Sequence, residues 1–190
     1  MNILFMLSII SVALVSNTNA RVWFGTRCPN TPVIPDFDLS RYAGKWYEIE
    51  SIFSQEYKCG FAEYAVQENN RISVRNTGTY RNSGEIRIIS GEGYVPNPNE
   101  PNKLIVSLSV NGLFNFNSEG NYHILKSDYD NYALVYSCKI YLGFIKFDAT
   151  WLLSRTQSLS EENTAELKKL LSDNGIDTRG FYKPDQSCNN

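Results

Sequence analysis

Turn residues interrupt the sequence about every ten positions between Lys45 and Arg155, and this spacing constrains the fold more than any other feature. The segments between the turns are rich in β-branched and aromatic residues, which is typical of short strands in an all-β sandwich or barrel. The fold class is therefore expected to be all-β, with sandwich and barrel both open at this point. We predict eight strands, over residues 45–53, 58–67, 71–80, 85–95, 103–110, 120–127, 131–139 and 144–154.

Alternation along these segments predicts which side chains point inward. In 103–110 and in 71–76 the even-numbered residues are apolar, apart from one asparagine, and the odd-numbered residues are mostly polar. Successive side chains of a strand point to opposite faces, so the even-numbered set is expected inside. The run Ile-Arg-Ile-Ile at 86–89 breaks this pattern and leaves its register open, and a β-bulge is one explanation.

After Arg155 the period becomes helical. Ser158 and Glu161 have the spacing of a capping box, in which each side chain bonds the other residue's backbone amide. Gly175 is a suitable C-terminal stop, and 176–182 is expected to add a short strand. The sequence thus predicts one helix of about four turns, packed on the barrel wall through a stripe of leucines at 167, 170 and 171.

The first twenty residues have the pattern of a secretory signal peptide. An apolar run over 2–15 is followed by small residues ending in Ala20, although no Lys or Arg precedes the run. A membrane anchor is the alternative, but it needs roughly 20 apolar residues, and the polar residues 16–19 shorten this run. We therefore predict a signal peptide at 1–20, one domain at 21–190, and a secreted, extracellular product.

Charge and cysteine content exclude several classes of partner. The net charge is −2, so there is no basic excess with which to bind nucleic acid. An even number of cysteines in a secreted chain predicts two disulfides, for which spacing alone allows three connectivities. No pair has the spacing of a metal site, so no metal is expected. The four cysteines are Cys28, Cys59, Cys138 and Cys188.

The case for an enzyme is weak. His123 is the only histidine, and it follows Tyr122, so alternation turns it away from the interior if Tyr122 points inward. A nucleophile–histidine–acid triad or a haem ligand would depend on that one ring. We therefore predict a protein that is not an enzyme and requires no cofactor.

Four motifs occur in an order that resembles the lipocalin family, and in particular its apolipoprotein D-like branch, which includes insect bilin-binding proteins. They are DFD (36–38), YAGKWYEIE (42–50), DYDNYALVYSC (128–138) and NGID (174–177). The resemblance covers nearly all of 28–188. It implies an eight-stranded antiparallel up-and-down β-barrel with one C-terminal helix packed outside.

The resemblance also implies structural roles. Arg155 is expected to stack on the Trp46 ring, a cation–π contact worth roughly 0.5–2 kcal/mol. The disulfides implied are Cys28–Cys138 and Cys59–Cys188. The closed end of the barrel, its structural floor, is expected to contain Gly44, Trp46, Asp128, Tyr129 and Arg155.

Alternation and resemblance together give a set of pocket-lining residues. An eight-stranded barrel leaves room for one small ligand, bound mainly by burial of apolar surface. Core packing is the alternative role for each member. The set consists of Tyr64, Val66, Val74, Asn76, Val106, Leu108, Tyr122, Ile124, Phe147 and Trp151.

The opposite, open end should carry the loops 54–58, 81–84, 111–119 and 139–143. Some of their residues are apolar, which is unusual for exposed loops. They are expected to form the pocket rim or a lid, and the alternatives are contact with a lipid surface or with a receptor. These residues are Leu113, Phe114, Phe116, Tyr141 and Leu142.

Three hypotheses of function follow. The first is a carrier that transports a small hydrophobic molecule, such as a lipid, fatty acid or sterol-like compound. The second is a pigment protein that binds biliverdin or another tetrapyrrole as its ligand. The third is an interaction module whose barrel is filled by its own side chains.

Overall fold

The computed structural model describes residues 21–52, 55–69, 71–110 and 116–188, and of residues 21, 110 and 116–118 it describes the backbone alone. The predicted signal peptide, 1–20, lies outside these segments. The strands and helices are β1 Arg21–Phe24, α1 Leu39–Tyr42, β2 Gly44–Ser51, β3 Tyr57–Gln67, β4 Arg71–Tyr80, β5 Ile86–Tyr94, β6 Lys103–Val110, β7 Phe116–Ser127, β8 Tyr132–Tyr141, β9 Ile145–Ser154 and α2 Glu161–Asp173.

Strands β2 to β9 form a closed antiparallel barrel. Each strand pairs with the next along the chain, and β9 pairs with both β8 and β2. The predicted all-β fold, an eight-stranded up-and-down barrel with an external helix, is thereby confirmed. The eight predicted strands correspond to β2–β9, with differences of a few residues at their ends.

Strand β1 is an addition that the sequence pattern did not predict. It pairs with the first half of β9, from Ile145 to Asp148, while β2 pairs with the second half, from Trp151 to Ser154. The two strands therefore share one edge of β9. As a result β1 continues the barrel wall at the open end, where β2 has stopped.

Two apolar cores lie on opposite sides of the wall. The interior core fills the closed end of the barrel and includes Trp46, Ile72 and Leu104, which have no exposed surface. The outer core lies between the wall and α2. It confirms the predicted docking of the helix, because Leu167 and Leu171 are fully buried there and Leu170 packs against them.

The ends of α2 show one error and one success of the sequence prediction. The N-cap is Ser160, whose hydroxyl accepts a hydrogen bond from the Asn163 amide, so the predicted capping box with Ser158 is wrong. The Ser158 carbonyl instead accepts hydrogen bonds from hydroxyls at 154 and 156. At the other end Gly175 has φ +69° and Ile176 donates to the Leu171 carbonyl, a Schellman motif.

Both ends of the domain are tied to the barrel by disulfides, Cys28–Cys138 and Cys59–Cys188, with Cα–Cα distances of 5.9 and 6.0 Å. These are the pairs that the family resemblance implied. They span 110 and 129 residues of chain. Loops of that length correspond to about 4–5 kcal/mol each in the chain-entropy description. The predicted short strand in the tail is reduced to a single bridge between Tyr182 and Ser51.

Strand β5 has a regular register despite its irregular sequence. It pairs with β4 without a shift from Ile86 opposite Thr79 to Tyr94 opposite Arg71. The suggested bulge at 86–89 is therefore wrong. Regular pairing places Ile86 and Ile88 on the outer face, where they are 64% and 46% exposed, and turns Arg87 inward.

The closed end is held by Arg155. Its guanidinium donates to the backbone carbonyls of Lys45 (2.9 Å), Arg41 (3.0 Å), Tyr42 (3.3 Å) and Tyr129 (2.9 Å). It also lies 3.7 Å from the centroid of the fully buried Trp46 ring. One side chain thus joins α1, β2, the β7–β8 turn and the end of β9.

The other residues expected at the floor lie around this contact. Gly44 has φ +95°, and a Cβ there would lie 3.2 Å from an Arg155 nitrogen, so a side chain would crowd the guanidinium. The Asp128 carboxylate accepts the backbone amides of Asn131 and Tyr132, which shapes the β7–β8 turn. These hydrogen bonds lower the pKa of Asp128, against the opposing effect of burial. The Tyr129 hydroxyl accepts from the Asp38 amide.

Arg155→Ala is expected to lower the free energy of unfolding by about 3 kcal/mol or more, because four backbone carbonyls lose a charged donor. Urea denaturation with the disulfides intact measures the effect. Arg75→Ala is the matched control, since Arg75 is exposed and bonded to Glu63, and a surface pair of that kind contributes about 0–1 kcal/mol. An unchanged unfolding midpoint for Arg155→Ala would contradict the role assigned to the floor.

Candidate ligand-binding site

Most of the predicted pocket residues share the inner surface of the barrel. The interior core contains Tyr64, Val74, Val106 and Ile124. Asn76 lies two residues after Val74 on β4 and therefore faces the same side of the strand. Leu108, Tyr122 and Trp151 pack against the same core. Phe147 has the parity of Trp151 nearer the open end, where its ring lies 5.2 Å from that of Tyr141.

Val66 is the exception, and its prediction as a pocket residue is wrong. It has the same parity as Tyr64, but Tyr64 already pairs with Gly44, the first residue of β2. Strand β3 therefore continues three residues past the start of β2, and Val66 lies beyond that point. Val66 is 46% exposed there. Alternation identified its face correctly but did not indicate its height along the barrel axis.

Accessibility changes along the barrel axis. Near the floor, Ile124 has no exposed surface and Val74 only 3%, so this half is packed solid. Higher up, Asn76, Tyr122 and Trp151 all retain accessible area although they lie on the inner surface. The inward-facing residues of the two halves therefore differ in accessibility.

Three phenols form a hydrogen-bonded cluster at the boundary between these halves. The Tyr122 hydroxyl lies 2.8 Å from that of Tyr42 and 2.7 Å from that of Tyr64. Burial raises the pKa of Tyr64 to about 12 and that of the other two well above 10. All three hydroxyls are therefore neutral at physiological pH and act as donors and acceptors.

Tyr42 is a member of this cluster that the sequence prediction missed. It lies at the end of α1, two residues before β2, and has no exposed surface. The chain must turn at Gly44 for its ring to enter the barrel and stack on Trp46 at 5.3 Å. Strand alternation cannot place a helical residue, but Tyr42 does begin the family motif at 42–50.

Glu48 is a second residue of the interior that the prediction missed. It pairs with the inward-facing Leu153, and its carboxylate lies 3.7 Å from the position that a Cβ on Gly60 would take. The Ser51 hydroxyl donates to it at 2.5 Å. Among the described residues no cation forms an ion pair with Glu48, and burial raises the pKa of its carboxyl group.

The open end carries an apolar rim. Leu142 is 79% exposed and Tyr141 44%. Phe24 of β1 stacks on Phe144 with the ring centroids 6.4 Å apart, and both rings are exposed. Of the other residues predicted for the rim, Leu113 and Phe114 lie outside the described residues, and so does the side chain of Phe116.

His123 lies on the outer face, as alternation predicted. Its Nδ1 atom is 2.8 Å from the Thr31 hydroxyl, and burial followed by the charge of Lys103 lowers its pKa. The described segments contain no cluster of His, Cys, Asp and Glu suited to a metal ion. In the same segments no helix has the length and apolar character needed to cross a bilayer.

Comparison with known proteins gives consistent matches over most of the chain. A family model described as a lipocalin-like domain matches residues 37–186. Apolipoprotein D of Cavia porcellus is 35% identical over 189 residues, 98% of this chain and 97% of that protein. The bilin-binding protein of Pieris brassicae is 30% identical over 185 residues, 94% of each chain.

A solved structure shows the same fold. H1 crustacyanin from the lobster Homarus americanus superposes with a TM-score of 0.69 at 25% sequence identity, and the match covers 87% of this chain and 91% of the other.

Tyr122→Phe is expected to lower the free energy of unfolding by about 1–3 kcal/mol, because it leaves the hydroxyls of Tyr42 and Tyr64 without their shared partner. Urea denaturation at neutral pH measures this loss. Tyr94→Phe serves as the control, since Tyr94 is 37% exposed on the outer face and its change should stay within about 0.5 kcal/mol. Equal stability of both variants would show that the phenol cluster contributes nothing to folding.

Proposed function

Because the chain belongs to the lipocalin family, we propose that it is a secreted carrier that binds and transports a small hydrophobic molecule inside the barrel. The observation that carries the proposal is the change along the barrel axis, from a solid closed end to inward-facing side chains that retain accessible area. A barrel filled by its own side chains would bury both halves alike.

Secretion is part of the proposal. Residues 1–20 would be removed as a signal peptide, leaving a single domain at 21–190. Two disulfides with no free cysteine in the described chain suit an oxidising compartment, because cytosolic proteins seldom keep such bonds.

The proposed pocket wall consists of inward-facing residues from five strands. Its apolar members would bind the ligand by burying hydrocarbon at roughly 25 cal/mol per Å². The hydroxyl, amide and indole groups of the wall would orient the ligand. Ile124 would support the pocket from below, and Val66 is excluded by its position. The wall is made of Tyr64, Val74, Asn76, Val106, Leu108, Tyr122, Phe147 and Trp151.

The role that we propose is binding without catalysis. His123 is the sole histidine and faces away from the interior, so it cannot serve as a general base for a molecule held there. No cofactor is needed for such a role. The exposed rim with Tyr141 and Leu142 would surround the point of ligand entry, and it would also be the surface that meets a lipid layer or a receptor.

A second candidate ligand is a tetrapyrrole such as biliverdin. The full-length similarity to a bilin-binding protein supports it. The flat aromatic wall is also suitable, because the rings of Tyr122 and Trp151 lie 6.4 Å apart with an interplanar angle of 29°. In this case biliverdin would be bound cargo, and the protein would be a pigment carrier.

Absorption spectroscopy and native mass spectrometry of the secreted protein distinguish these ligands. A blue or blue-green band with a tetrapyrrole mass would support the pigment carrier. A colourless protein that carries a lipid, or that binds added fatty acid or steroid saturably, would support the lipid carrier. A protein with no co-purifying molecule and no saturable binding of any of these would contradict the carrier proposal.

Trp151→Ala is expected to weaken ligand binding about tenfold while changing stability less. Losing about 60 Å² of ligand contact at roughly 25 cal/mol per Å² costs about 1.5 kcal/mol. Isothermal titration with the ligand identified above measures the affinity. Trp23→Ala is the matched control, because Trp23 lies on β1 and donates to Asp148 on the outer face. Equal affinity in wild type and Trp151→Ala would exclude Trp151 from the pocket.

A further inference from the structure

The polarity of β5 is inverted near the open end of the barrel. Ile86 and Ile88 face outward and are exposed, while Arg87 between them faces the interior. A guanidinium inside a barrel loses hydration, which is costly unless a partner compensates for it. Packing alone would favour the opposite arrangement, so the position of Arg87 requires an explanation.

A glycine on β4 and the ring of Tyr57 lie next to Arg87. Its partner on β4 is Gly78, which has no side chain, and the Tyr57 ring occupies the space that a Cβ there would meet, at 3.2 Å. Tyr57 packs against Tyr80 with centroids 4.8 Å apart. Burial, the neighbouring Tyr80 and the negative charge of Glu56 raise the pKa of Tyr57, and the positive charge of Arg87 acts against that rise, which is consistent with a guanidinium close to the phenol.

Arg87 has no ion-pair partner among the described residues, although the charge of Glu56 acts on the same phenol, that of Tyr57. Its Nε atom is buried and has no hydrogen-bond acceptor within the described residues. None of the ion pairs found in those residues includes Arg87.

We propose that Arg87 binds the carboxylate of an apolar ligand at the mouth of the barrel and makes the protein selective for acidic over neutral molecules. A guanidinium presents paired N–H donors that match the two oxygens of a carboxylate. The inference rests on the proposed carrier function and specifies its ligand class. A fatty acid and the propionate of a tetrapyrrole share this chemistry.

The other polar groups of the interior define the orientation of such a ligand. Glu48 projects a carboxyl group from β2 into the lower part of the open space, and the neutral phenols lie beneath it. An anionic head would be repelled from Glu48 when that group is ionised. The carboxylate should therefore remain at Arg87, with the apolar body directed toward Trp151 and the floor.

Palmitic acid and 1-hexadecanol test this assignment, because they share a sixteen-carbon chain and differ in the head group. Binding to the delipidated, secreted protein is measured by titration calorimetry at low salt. Wild type should prefer the acid. Arg87→Gln should weaken palmitate binding about tenfold or more and leave hexadecanol within about twofold, since a hydrogen bond to a charged group accounts for at least that factor. The affinity of Arg87→Lys for palmitate should lie between those of wild type and Arg87→Gln.

Biliverdin and its dimethyl ester form a parallel pair that distinguishes the two sources of carboxylate. If the ligand is a tetrapyrrole, Arg87→Gln should weaken the binding of biliverdin but not that of its dimethyl ester. Palmitate should then bind weakly even to wild type. Arg75→Gln is the control, because Arg75 points outward from the neighbouring strand and bonds Glu63. It should change none of the four affinities.

Two results would overturn the assignment of Arg87 while leaving the carrier function intact. One is a wild type that binds acid and neutral analogue equally in both pairs. The other is an acid preference that persists unchanged in Arg87→Gln. The wild-type comparison needs no variant, so it can overturn the proposal even if Arg87→Gln fails to fold, and Arg87→Lys then tests the residue itself. Failure of all four probes to bind wild type would instead reject the carrier function itself, and the proposal with it.

Discussion

The contact between Arg155 and Trp46 is the constraint on which the rest of the structure depends. A closed barrel has no sheet edges, but its ends are open unless side chains fill them. Here one guanidinium stacks on a buried indole and bonds carbonyls of three separate segments. This arrangement closes one end of the barrel.

Polar groups are unevenly distributed in the part of the interior above that floor. Apolar packing is complete at the bottom, neutral phenols lie at its upper boundary, and Glu48 and Arg87 face the space from different strands. Burial keeps the phenols protonated, whereas Glu48 and Arg87 are ionisable groups on the inner face, and Lys139 has inward parity at the open end because it pairs with Phe147. A molecule bound in this space would meet apolar walls with an uneven distribution of charge, which favours one orientation.

Particular residues show why sequence reasoning succeeded in some strands and failed in others. Alternation placed Val74 and Val106 correctly, because burial on one face repeats with the period of the strand. It failed to place Val66, because the stagger of neighbouring strands decides where a wall ends. It left Arg87 open, since its neighbours Ile86 and Ile88 are apolar residues in contact with solvent. The predicted cap at Ser158 was wrong, and the Ser158 carbonyl instead accepts hydrogen bonds from the hydroxyls of Ser154 and Thr156 at and just beyond the end of β9.

The sequence by itself determined the all-β class, the count of barrel strands, the external helix and the family, because these depend on local periodicity and on motifs that are contiguous in the chain. Tertiary structure alone decided the position of each inward-facing residue along the barrel axis and which phenols form hydrogen bonds with each other. It also decided that a carboxyl group and a guanidinium both face the interior. Those relations join residues as far apart as Tyr42 and Tyr122. They depend on strand stagger and barrel closure, which no local pattern encodes.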